Sequence, residues 1–138
     1  MVLHEYGATM LGYTCLILNY EDRQRLMARF PPEYQHHVAH HITIAYGVDG
    51  STMPDMWEGF IVGDAYDKGV QALVVEINGN TVRPDGAHYH ITWSLDEGRF
   101  PDQSIALLNR GWFPLADGER IPVSFTPAFV LSKSSRTK

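Results

Sequence analysis

Apolar residues in this chain come in short runs with two different rhythms. Residues 13–18, YTCLIL, are a compact run of strand formers. After Asn19 the chain turns charged, and Leu26 and Phe30 fall four apart, a helical spacing. The pattern predicts a strand and then a helix that ends at Pro31 and Pro32, since neither proline can donate the backbone hydrogen bond another turn requires. In residues 41–47, HITIAYG, Ile42 and Ile44 alternate with more polar neighbours, the two-residue period of a strand with one buried face. Residues 49–68 are rich in Gly, Asp and Met and read as a loop holding a short strand at 60–62. A strong strand, VQALVVEI, follows at 70–77, and Asn78-Gly79-Asn80 has hairpin-turn chemistry, so another strand should pair back.

Residues 88–95, HYHITWSL, alternate again, and 102–110 predict a short helix with Ile105, Leu107 and Leu108 available for packing and Gly111 as its stop. Residues 121–131, IPVSFTPAFVL, read as a strand broken by Pro127 and therefore confined to an edge or a bulge. Strands outnumber helices and the connections are short, which favours antiparallel pairing and an α+β domain. A chain of 138 residues holds one such domain, expected over 1–131, with a basic flexible tail at 132–138.

Composition narrows the partners. Hydrophobic residues make up 44% and charged residues 20%, as in folded globular proteins, which excludes disorder and fibrous repeats. The net charge is −5, and three of the eleven basic residues fall in 132–138, so the body is more acidic still. Long nucleic acid is disfavoured, and a small ligand in a local pocket fits better. Cys15 is the only cysteine, so no intrachain disulfide forms and a reducing compartment, the cytoplasm, is expected. The opening residues lack a basic start and a clean cleavage site, and nothing approaches the ~20 apolar residues that span a bilayer, so no membrane role is expected.

Aligning His41 with His90 lays HHITIAYGVDG over YHITWSLDEG, so the same His-Ile-Thr triplet occurs twice, each time in a predicted strand. Side chains at i and i+2 leave a strand on one face; His41 and Thr43 therefore project together while Ile42 and Ile44 enter the core, and His90 and Thr92 do likewise. If the two strands face each other across a pseudo-twofold axis, two imidazoles and two hydroxyls share one groove. That set suits phosphodiester chemistry. With an unperturbed pKa near ~6.5, one histidine can take a proton from the nucleophile while the other, charged, protonates the leaving oxygen. Threonine hydroxyls can donate to non-bridging oxygens, and such pre-placed donors are worth ~2.7–4 kcal/mol each. No metal or other cofactor is needed.

These residues resemble the 2H phosphoesterase superfamily, defined by two His-x-Thr/Ser motifs on strands of a duplicated α+β fold. GYTCLILNYEDRQRL followed by HHITIAYG is similar to the Swiss-army-knife RNA repair-like branch, and also to phage anti-CBASS nucleases that destroy cyclic oligonucleotide messengers. The resemblance implies a duplicated, two-lobed antiparallel fold around a central groove, with His41 and His90 as the catalytic pair and Thr43 and Thr92 as phosphate-binding partners. Tyr13, just before the first strand, would contact substrate. The interval of 49 residues between the histidines and the absence of a basic cluster beside either motif disfavour extended RNA, leaving a small cyclic nucleotide or an RNA end as the expected substrate.

Two other readings use the same residues. His36, His37, His40 and His41 are dense, and GAHYHITWSLDEG, with His88, His90 and Glu97, loosely resembles the cupin metal motif; a cupin-like metal site leaves Thr43 and Thr92 without a role. A non-hydrolytic module could instead sequester a cyclic nucleotide in the same groove. Trp93 has the parity of Ile91, so core packing is its expected job, whereas Trp57 and Trp112 fall in loops. Arg23, Arg25 and Arg29 read as a solvated helix face.

Overall fold

In the structure, a computed structural model that describes residues 11–51 and 53–131, the alternating segments become eight strands and two helices. The tail expected at 132–138 lies outside the described residues. Strand β1 (Gly12–Leu18) leads directly into helix α1 (Tyr20–Arg29), because the Asn19 side chain accepts the backbone N–H groups of Glu21 at 2.9 Å and Asp22 at 3.4 Å. Glu21 and Asp22 in the first turn and Arg29 in the last complement the helix dipole. Leu26 is the one fully buried side chain of the helix, and Pro31 and Pro32 end it as expected.

The remaining strands are β2 (His36–His37), β3 (His41–Val48), β4 (Glu58–Tyr66), β5 (Val70–Glu76), β6 (His90–Leu95), β7 (Phe113–Pro114) and β8 (Ile121–Leu131), with helix α2 (Gln103–Asn109) between β6 and β7. Every pairing is antiparallel, and the path β6–β3–β1–β8–β4–β5 returns to β6, so six strands form a closed circuit. The α+β class holds. β2 and β7 are short flanks on β6 and β4. No helix among the described residues is long and apolar enough to cross a membrane.

Strand alternation separates two apolar layers. Leu73 and Val75 of β5, Ile91 and Trp93 of β6, Leu16 and Ile42 join Leu26 of α1 and Phe30 at its C-terminal cap in one cluster. Ala72 and Val74, the alternate residues of β5, pack with Leu107 and Leu108 of α2 in the other. Each fully buried aliphatic or aromatic side chain contributes about 1.5–3 kcal/mol. Trp93 follows its predicted parity: it is completely buried, and its indole N–H donates to the Phe30 carbonyl at 2.8 Å, which ties β6 to the end of α1.

Three sequence expectations change. Instead of a loop with a short strand at 60–62, residues 58–66 are one continuous strand. Gly59 and Gly63 hide its rhythm, and both serve close approach: a Cβ at Gly63 would lie 2.3 Å from the Trp112 ring, and one at Gly59 2.7 Å from the Glu76 carbonyl. β8 is likewise unbroken. Pro127 pairs with Leu16 of β1, while the β4 ladder on the other side stops at Ser124, so among the described residues the proline meets a strand on one edge only. Finally, Asn78 and Gly79 turn at φ 53° and 79° as the hairpin chemistry requires, yet the chain pairs back through two isolated bridges, Ile77↔Asn80 and Val82↔His88, before regular strand resumes at His90.

Candidate functional site

β3 and β6 carry the two His-Ile-Thr triplets, and they meet at a single residue pair, Ile42 opposite Ile91. That single pair brings the two triplets side by side, but the ladder goes no further: the Thr92 carbonyl accepts the Ala39 N–H at 2.9 Å, and the Thr43 carbonyl accepts Arg83. Ile42 and Ile91 both enter the cluster shared with α1, so the side chains of His41, Thr43, His90 and Thr92 leave from the opposite face. There they line one cleft, together with Val38, Tyr46 and the α2 approach of Pro101, Asp102 and Ile105. Its volume is about 80 Å³. That is well below the roughly 300–1,000 Å³ of pockets that enclose a whole small-molecule ligand, so the cleft suits a phosphoryl group rather than a whole nucleotide.

His41 stacks on Tyr13, with ring centroids 5.8 Å apart and planes at 28°, and its Nδ1 lies 3.1 Å from Nδ1 of His40. Burial, then the neighbouring His40 and His90, push its pKa down from 6.5 to about 4, so it is neutral near pH 7. The Nδ1 of His90 donates to the His88 carbonyl at 2.8 Å. A carbonyl only accepts, so the neutral ring carries its proton on Nδ1 and keeps Nε2 free as acceptor. Burial lowers the pKa of His90 as well; the hydrogen bond to His88 and the Asp85 carboxylate oppose that shift, and Arg83 and His88 add to it.

The two threonines are not equivalent. The Thr92 hydroxyl donates to the Pro101 carbonyl at 3.2 Å and lies 2.9 Å from the Ser104 hydroxyl, which fastens the approach to α2 against β6. To reach a ligand it must release Pro101. No hydrogen bond engages the Thr43 hydroxyl among the described residues, while its backbone carbonyl accepts Arg83 Nη1 at 3.1 Å. Tyr13 is not part of the cleft lining and meets the site through the rings of His41 and Tyr46, each with its centroid 5.8 Å away.

No three His, Cys, Asp or Glu side chains converge among the described residues, so the histidine-rich stretches form no ready metal cage. His36 and His37 are exposed on β2, and His88 packs on Trp112 with ring centroids 6.3 Å apart and planes at 76°. The cleft lining has no Lys or Arg and one carboxylate, Asp102, and both imidazoles are held toward neutrality. Such a site accommodates one negative charge far better than two.

Sequence reasoning missed Tyr46, Asp102 and Ser104 around the cleft, and Arg83 and Asp85 behind it. Tyr46 belongs to the strand already marked by the first triplet, and Arg83-Pro84-Asp85-Gly86 has the composition of a turn whose aspartate folds back on its own loop. Compared with known families, characterised proteins and solved structures, the chain matches none, so the chemistry of this site is read from its own geometry.

Proposed function

We propose that this protein is a metal-independent phosphodiesterase of the 2H type, acting on a cyclic nucleotide or cyclic oligonucleotide by two-histidine acid–base catalysis. The observation that carries the reading is the antiparallel register at Ile42 and Ile91, which gathers both His-Ile-Thr triplets around one phosphate-sized cleft. The local twofold relation of the motifs across that pair also favours a duplicated, two-lobed origin for the fold.

In this mechanism His41 is the base: it is neutral, and nothing around it favours its cation. It takes the proton of a water, or of a ribose 2′-hydroxyl in a 3′–5′ linked substrate. His90 is the acid, because its Nδ1–H bond to a carbonyl and the nearby Asp85 both favour the imidazolium, and its Nε2 delivers the proton to the leaving oxygen. Thr43 donates to a non-bridging oxygen. A phosphodiester brings one negative charge, which a lining without Lys or Arg tolerates better than the two of a monoester. Base and sugar lie outside so small a cleft.

The test is incubation with 2′,3′-cyclic mononucleotides, linear 2′–5′ oligonucleotides and cyclic di- and trinucleotides in EDTA, followed by product mapping. Cleavage of at least one substrate by the wild type, with loss in both His41→Ala and His90→Ala, is expected; full activity in either variant refutes the pair. A second reading, sequestration without hydrolysis, draws on the lowered pKa values of both imidazoles, which leave the free site short of an acid. Tight binding without turnover selects it.

A further inference from the structure

The seam between β3 and β6 is a ladder of one residue pair, and the next position along it is occupied by something other than strand. Where Thr43 would continue the pairing with His90, its carbonyl accepts Arg83 Nη1 at 3.1 Å instead. Arg83 lies in the excursion between β5 and β6, seven residues ahead of His90, and its side chain is 2% exposed. Asp85 holds the other side of the guanidinium, accepting Nε at 3.1 Å and Nη2 at 2.9 Å. Asp85 is itself fixed by the Ala87 N–H at 3.0 Å, and the loop closes through Arg83 N–H to the Ala87 carbonyl at 2.7 Å. The guanidinium also sits 5.6 Å from the centre of the Tyr46 ring, at the cleft wall.

We infer that Arg83, clamped by Asp85, is a positioning residue that ties the first motif to the second and keeps the seam splayed at the width a phosphoryl group needs. This inference rests on the phosphodiesterase reading for its meaning, but its geometry does not. Arg83 is not part of the cleft lining and acts through Thr43, Tyr46 and His90. A lysine in its place has one compact ammonium and cannot hold Thr43 and both carboxylate oxygens in a fixed fork.

The charged and titratable groups around His90 are Arg83, Asp85 and His88 on its own excursion, His41 and Tyr46 from β3 and Asp102 from the approach to α2. Arg83 disfavours the His90 cation and Asp85 favours it. The experiment therefore follows the His90 imidazole by NMR titration in wild type, Arg83→Met, Arg83→Lys and Asp85→Asn, alongside kcat and KM on the best substrate. Expected are an upward shift of the His90 pKa in Arg83→Met and a downward shift in Asp85→Asn. kcat should fall about 100-fold in Arg83→Met, as for a misplacement near 1 Å, and recover partly in Arg83→Lys. Shifts of the same sign in both variants, or wild-type kcat in Arg83→Met, overturn the inference. If Arg83→Met does not fold, Asp85→Asn alone decides by the sign of its shift. A wild type that cleaves nothing refutes the phosphodiesterase reading and leaves the two titration shifts to judge Arg83.

Discussion

The pH dependence of turnover is the most exacting consequence of the two-histidine reading, because free and occupied sites should behave differently. The productive free form has His41 neutral and His90 protonated. With His41 titrating at about 4 and His90 below its ordinary 6.5, kcat/KM should peak on the acid side of the 6.5 of an unperturbed pair. Above the His90 pKa it should fall tenfold per pH unit. Binding changes this: a phosphodiester anion about 4 Å from an imidazole, at an effective dielectric near 20, favours the cation by about 4 kcal/mol, or about 3 pKa units. The kcat profile should therefore be displaced upward by up to about that amount, bringing His90 into its acid form near neutrality. Stopped assays from pH 4 to pH 9 at saturating and at limiting substrate separate the two profiles. Coincident profiles, or a kcat/KM maximum above pH 7, would refute the assignment of His41 as base in a desolvated site.

Three further outcomes follow from the same contacts. Since the folded pKa of His41 is depressed below its unfolded value, the unfolded chain binds more protons between about pH 4 and 6.5; stability should fall as pH drops through that window, and His41→Gln should flatten the slope in urea titrations. Thr92→Val should unfold more easily by about 1–3 kcal/mol, because its hydroxyl serves the buried Ser104 and the Pro101 carbonyl, whereas Thr43→Val should keep its melting temperature and lose kcat by about 100-fold. Phosphomonoesters, carrying a second charge, should inhibit at least about tenfold more weakly than diester analogues, and Asp102→Asn should narrow that gap in competition assays.

Much of the fold was readable because local chemistry and long-range packing agree. Asn19, the spacing of Leu26 and Phe30 and the paired prolines place α1, alternation places β3 and β6, and an unbroken run of strand formers places β5. β4 escaped because glycines chosen for close contact with Trp112 and Glu76 erase its periodicity, and β8 because Pro127 looks like a break until its bare edge is known. The same division holds at the site. Repetition of His-Ile-Thr exposes four residues that the fold brings to one cleft, but register is a property of two strands together, and no single-strand pattern could say that Ile42 would meet Ile91. The inequality of the threonines depends on where α2 begins, and the role of Arg83 on a carbonyl forty residues away in the chain.

A ring of strands joined by ladders of four or more residue pairs everywhere except between β3 and β6 has its shortest joint there, and the candidate site lies on it. Amide deuteration should enter there first, ahead of the long β1–β8 and β4–β5 ladders. A pocket placed on such a joint can be reshaped for ligands of different girth by residues beside it while the rest of the ring keeps its hydrogen bonds.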